Sequence, residues 1–214
     1  MNITFDFGAV LSQWPMLLKG VVWTLGLTAV SAVIGVALGI ACAWARVHGA
    51  ANAEAVADCD VAVIVVPYEA HRTTLESLAT PLTGKVVVDA VVPVRFERGP
   101  RPVEVPEGSA TEQAAAILPD SHVIGAFHNL AAEALLDLER PLDADVLVTG
   151  GDAEAKALVS VLAEQIEGVR AVDAGPLRFS RFVEGLTVLL IGINGRYKAH
   201  SAPRIVGLPE RTAS

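Results

Sequence analysis

The sequence predicts an α/β chain built on a doubly wound parallel sheet, preceded by one transmembrane helix and followed by a C-terminal helix. Three observations predict it. Residues 61–66, Val-Ala-Val-Ile-Val-Val, are apolar at every position and rich in β-branched side chains, the pattern of a strand covered on both faces of a parallel sheet. Similar runs then alternate with helical segments, as in β-α-β units joined by right-handed crossovers. Residues 20–45 carry no charged side chain, and as a helix they would span about 39 Å, enough to cross a bilayer with tilt. The expected organisation is a membrane segment at 1–48, a partial doubly wound α/β domain at 49–175, and a C-terminal helix and tail at 176–214.

The apolar run is too long for a signal-peptide core, and no basic residue lies between Met1 and Pro15. It also lacks the polar stripe of a soluble core helix. Ser31, Gly35, Gly39 and Ala43 recur every fourth residue, a small-residue face on which another helix could pack. Arg46 and His48 follow the run, which places residues 49–214 in the cytoplasm. If the first segment does not belong to the natural chain, the whole protein is expected to be cytoplasmic. Residues 49–214 hold 14 basic against 23 acidic residues, a balance that argues against nucleic acid as a partner. The two cysteines, Cys42 and Cys59, give no disulfide framework or zinc spacing, and no metal site is expected.

Pro67 ends the first strand, Glu69 to Leu78 reads as a helix, and Lys85 to Val92 as a second strand stopped by Pro93. Arg95 to Gly108 is rich in proline and charge and suits an exposed connection or lid. Ser109-Ala110-Thr111-Glu112 matches a capping box, opening a helix that stops before Pro119. His122 to Ala126 and Ala144 to Thr149 are further strands. Asp152 opens a helix to about Glu167 with Gly168 as its stop, Val169 to Val172 forms a last strand, and Ser180 caps a long helix to about Asn194. This order brings Val66-Pro67-Tyr68, Val92-Pro93 and Ala126-Phe127-His128-Asn129 to the carboxyl ends of successive parallel strands, the edge where open α/β sheets bind ligands.

Two resemblances follow from these residues. Phe5-Asp6-Phe7-Gly8, Trp14-Pro15, Leu17-Leu18-Lys19-Gly20 and Thr24-Leu25-Gly26-Leu27 resemble the first membrane segment of polar amino-acid ABC transporter permeases, over about residues 1–47. Val65-Val66-Pro67-Tyr68-Glu69, Val91-Val92-Pro93-Val94, Gly108 to Glu112, Asp173-Ala174-Gly175-Pro176-Leu177 and Ser180 to Thr187 resemble the NADPH-dependent coenzyme F-420 reductases, over about residues 51–208. The second resemblance implies hydride transfer between the nicotinamide of NADP and the deazaflavin of coenzyme F-420. It implies that Val66, Pro67 and Ala126 border the nicotinamide, that Val92 and Pro93 line the meeting place of the rings, and that His128 and Asn129 are the nearest polar groups. Tyr68 is taken with them as cofactor-binding, and His128 is the candidate catalytic residue.

The chain departs from that family in one respect. No GxGxxG occurs in it, so the turn whose amides hold a dinucleotide pyrophosphate is missing. The Rossmann-type sheet is therefore expected to lack its first strands, which turns strand 61–66 into an edge. An apolar edge invites self-association or a partner that covers it. Three functions are compatible with these features: an F-420:NADP oxidoreductase impaired in phosphate binding, a non-catalytic membrane-anchored remnant or interaction module of a chimeric gene, and a permease fragment.

Overall fold

The computed structural model describes residues 56, 58–137 and 139–208. The expected span at 20–45, its small-residue face and the permease-like segments at 1–47 lie outside them. No helix among the described residues is long and apolar enough to cross a membrane. All the described residues belong to one compact unit, Gly49–Ser214, so the last helix and the sheet share it.

The chain runs β1 (Val61–Ile64), α1 (Tyr68–Leu78), β2 (Val86–Asp89), β3 (Val94–Phe96), β4 (Pro100–Pro102), α2 (Ala110–Ile117), β5 (His122–Gly125), α3 (Ala132–Leu136), β6 (Ala144–Gly150), α4 (Ala153–Ala163) and β7 (Val169–Gly175). A 3-10 turn at Leu177–Phe179 then leads into α5 (Ser180–Tyr197). The main sheet has the order β1-β2-β5-β6-β7. Strands β1, β2 and β5 are parallel, and so are β6 and β7. The α/β reading with parallel strands holds, with one refinement: β5 and β6 pair antiparallel, through Ile124 with Gly150 and Gly125 with Thr149. The connection from β5 to β6 contains only the five-residue α3 and brings the chain back against β5 in the opposite direction.

Alternation along the strands sends side chains to two separate cores. Val87 and Val123 face Leu75, Leu78, Ala114 and Leu118 from α1, α2 and the turn after α2. Val88 and Ile124 face Val146, Val148, Ala155 and Val159 on the α4 side. Strand β1 departs from the expected two-sided burial. Ala62 and Ile64 are buried, but Val63 is 53% and Val65 74% exposed, because β1 is the outermost strand among the described residues and is covered on one face there.

Three local readings need correction. The stretch from Arg95 to Gly108 is not all loop, since β3 and β4 pair as an antiparallel hairpin. Helix α4 ends at Ala163, four residues before the expected end at Glu167, and Gly168 serves the turn into β7. Ser180 does not cap α5. It is the first helical residue, and its hydroxyl is buried at 2.6 Å from that of Thr149.

Candidate functional site

The carboxyl ends of β1, β2 and β5 lie side by side, and backbone bonds carry the pairing past the strands: Ala90 N–H donates to the Ile64 carbonyl and Ala126 N–H to that of Asp89. This brings the segments holding Val66, Pro67 and Tyr68, Val92 and Pro93, and Ala126, His128 and Asn129 to one edge. Their surroundings differ. Pro67 is exposed at the N-cap of α1, Val66, Tyr68 and Val92 are half-buried, and Pro93, Ala126, His128 and Asn129 are buried. Phe127, between Ala126 and His128, has φ of 66°, a left-handed conformation that costs a bulky residue about 1–3 kcal/mol and turns the chain sharply after β5.

Gly125 is where four elements meet. A Cβ there would stand 2.5 Å from Thr149 Oγ1, and 3.1 Å from both Ser180 Oγ and Thr111 Cγ2. Glycine thus lets β6, α5 and the start of α2 close in on the end of β5.

Beside this junction lies a buried polar cluster. Glu184 on α5 accepts hydrogen bonds from the backbone N–H groups of Ala110 and Thr111, at 3.0 and 3.1 Å, and from the Thr111 hydroxyl at 3.1 Å. It therefore satisfies orphan donors at the start of α2. The Ser109 hydroxyl takes the Glu112 N–H at 3.0 Å, as a capping box requires. The Glu112 carboxylate departs from the box: it receives the Ser109 hydroxyl and the Arg181 guanidinium, at 2.9 and 3.0 Å. Burial pushes Glu184 up to about 7, against its hydrogen bonds.

Asp89, at the end of β2, is fully buried and 3.3 Å from His71 Nε2. Its other oxygen accepts the Val91 N–H at 3.2 Å. His71 Nδ1 is 3.1 Å from Gln113 Oε1, and Gln113 continues to Glu107 at 3.1 Å. Burial opposes a charge on His71, but the Asp89 carboxylate beside it, with help from Gln113, outweighs it and raises its pKa.

The two polar residues expected at the site have different roles. Asn129 donates to the Val183 carbonyl and the Thr187 hydroxyl, at 3.0 and 2.8 Å, and so ties the loop after β5 to α5. His128 is 4% exposed and its Nε2 lies 3.4 Å from Thr111 Oγ1. Its Nδ1 has no hydrogen-bond partner, and burial pushes the ring down to about 4. His128 and Asn129 line a cavity of about 320 Å³ with Thr187, Leu190, Asn194 and His200. A wider groove of about 700 Å³ runs between the β3–β4 hairpin and α5, with Arg98 and Arg196 among its walls.

Sequence reading missed His71, Asp89, Thr111, Gln113 and Glu184 as parts of this site. Two had a legible signal. Asp89 closes an otherwise apolar strand, and Glu184 lies on the same helical face as Ser180, Val183 and Thr187, at spacings of three and four. Both patterns mark a polar group headed for the interior.

The chain is similar to proteins of known kind over most of its length. Residues 33–93 match the family model described as NADP oxidoreductase, coenzyme F420-dependent. That match begins inside the apolar run, and the permease resemblance of residues 1–47 finds no support beside it. The F420-dependent NADP reductase of Methanocaldococcus jannaschii is 42% identical over 158 residues, 72% of this chain and 71% of that protein. The enzyme of the same name from Methanothermobacter marburgensis is 42% identical over 171 residues, 77% of this chain and 76% of that one. Among solved structures, a candidate F420-dependent NADP reductase from Arthrobacter sp. FB24 superposes with a TM-score of 0.60 at 26% identity, covering 69% of this chain and 70% of that chain. The chain belongs to the coenzyme F420-dependent NADP oxidoreductase family.

Proposed function

We propose that this chain catalyses hydride transfer between NADP(H) and the deazaflavin coenzyme F420, weakened by poor binding of the dinucleotide phosphates. The observation that carries the reading is the carboxyl edge of β1, β2 and β5, closed by α5 and joined to a free buried imidazole nitrogen, in a chain 42% identical to F420-dependent NADP reductases. When bound, the two cofactors supply the redox chemistry, one giving and the other taking the hydride. The chain's own part is to hold two rings together and exclude water. Val66, Pro67, Val92, Pro93 and Ala126 would form apolar walls, Tyr68 would flank them, and His128 would offer a polar contact. Asn129 acts by fixing the loop that carries them.

The ring-binding side fits, but the phosphate side fits poorly among the described residues. The start of α2 already holds a carboxylate, that of Glu184. The start of α4 follows Gly150-Gly151, but Asp152 occupies its cap, accepting the Ala155 N–H at 2.9 Å. That negative charge stands where a phosphate would need the helix amides. The same observation favours the second reading, a non-catalytic interaction module.

Titration of the full chain with NADPH and with F420, followed by a spectrophotometric assay of F420 reduction, separates the two. Saturable binding of both with turnover is the expected outcome. F420 and NADPH both failing to bind at millimolar concentration would replace the enzyme by the interaction module.

A further inference from the structure

The groove between the β3–β4 hairpin and α5 has two walls that start at the sheet edge. Val103, just after β4, donates its N–H to the Pro93 carbonyl at 2.8 Å, so the hairpin leaves and rejoins the chain at Pro93 and reaches outward to a tip at Arg98 and Gly99. Helix α5 begins at the same edge, where Ser180 meets Thr149 and Glu184 meets the start of α2. Gly185 and Gly192 share one face of α5 with Leu189, and a Cβ on Gly185 would meet nothing within 4 Å. The two missing side chains leave a trough of about 700 Å³, lined by Leu189, Pro100 and Pro102 and within the usual size of a cofactor site.

The far end of the trough is cationic. Arg98 at the hairpin tip and Arg196 in the last turn of α5 both line it. From Gly185 to Arg196 the helix rises about 16 Å. Among the described residues neither arginine has a carboxylate partner. Every other described arginine pairs with Asp or Glu, except Arg178, which lies over the Phe179 ring. The chain has a net charge of −8, so no general excess of cations explains two unneutralised arginines at one groove end. Arg196 suits the negative end of a helix, but Arg98 at a hairpin tip has no such reason.

We propose that this groove takes the side chain of coenzyme F420, with Arg98 and Arg196 holding its anionic groups and its deazaflavin ring lying at Pro93. The geometry fits a ligand whose planar ring sits at the sheet edge and whose anionic tail runs outward from it. F420 is such a molecule, because an acyclic polyol chain leads from its ring through a phosphodiester to glutamate carboxylates. The walls grow from Pro93 and α5, not from β1, whose end carries Val66 and Pro67 for the nicotinamide. The anion is therefore that of F420 rather than the dinucleotide phosphates. The proposal rests on the reductase reading for the identity of the ligand.

The test is fluorescence titration of the full chain with F420, with the deazaflavin riboside that lacks the phosphodiester and glutamates, and with NADPH. The double variant Arg98→Gln, Arg196→Gln should weaken F420 binding about tenfold, the worth of two exposed ion pairs, and leave the riboside and NADPH within about twofold of wild type. Arg98→Lys with Arg196→Lys should keep most of the affinity. Added salt should weaken F420 binding to wild type but not to the glutamine variant. Equal losses for F420 and the riboside, or a loss confined to NADPH, overturn the proposal. So does a dimer in sedimentation that Leu189→Arg abolishes, since it gives the groove to a second copy. If wild type binds the riboside or NADPH but takes F420 no better than the riboside, the groove assignment falls and the reductase reading stands. If none of the three binds at millimolar concentration, both fall.

Discussion

Glu184 and His128 titrate in opposite senses over one range of pH. Burial pushes Glu184 from 4.5 up to about 7, so between those values the native chain holds a proton that the unfolded chain has lost. Stability then falls as pH rises through that window. Burial pushes His128 from 6.5 down to about 4, so there the unfolded chain holds the extra proton, and stability falls as pH drops. Each shift corresponds to about 3 kcal/mol, and the two slopes oppose each other. Glu184→Gln removes one slope and leaves the other. Relative to wild type, the variant should lose about 3 kcal/mol of stability as pH falls from about 7 to about 4.5. Urea unfolding at four or five pH values measures this; parallel curves for the two proteins would refute the burial of an ionisable Glu184.

At the scale of elements, two connections determine how the strands meet. Gly168 turns the chain from α4 into β7 with φ of 81°, and a Cβ there would stand 2.6 Å from the Leu142 carbonyl oxygen. Leu142 lies just before β6, so the turn also seats β6 and β7 against each other. Gly168→Ala adds both left-handed strain and a backbone clash, and is expected to cost about 2 kcal/mol. Equilibrium unfolding in urea checks this, with an unchanged midpoint as the contrary result. The helix starts show what sequence spacing can and cannot resolve. Ser109 and Asp152 are caps as read, because a cap is a contact with residues three positions on. Ser180, expected to cap α5, is instead its first residue and bonds Thr149 of β6, a partner that no local pattern names.

Across the molecule, Asp145 ties the tail to the sheet. It is fully buried at the second position of β6, and its carboxylate takes Arg170 from β7 through two bonds at 2.9 and 2.7 Å. It also accepts from Arg204 at 3.2 Å, and its backbone N–H donates to the Pro203 carbonyl at 2.8 Å. Burial opposes its charge, but Arg170, the Ile205 amide and Arg204 hold the carboxyl below its ordinary range. Asp145→Asn leaves Arg170 and Arg204 without their shared anion, and should lower stability by about 2 kcal/mol. It should also expose residues 198–205 to limited proteolysis. Cleavage at the wild-type rate would show that the tail is held by other contacts.

The sequence by itself determined the alternation of strands and helices, the three segments that meet at the carboxyl edge, and the family. These rest on period-two and period-3.6 patterns and on short contiguous motifs, which are local. Only the tertiary structure decided that β6 runs against β5, that β1 is covered on one face among the described residues, and that His71, Asp89, Thr111, Gln113 and Glu184 gather beside His128. The physical reason is range. Thr111 and Glu184 are 73 positions apart, and the bond between them exists because Gly125 leaves room for α2 and α5 to approach the same strand end.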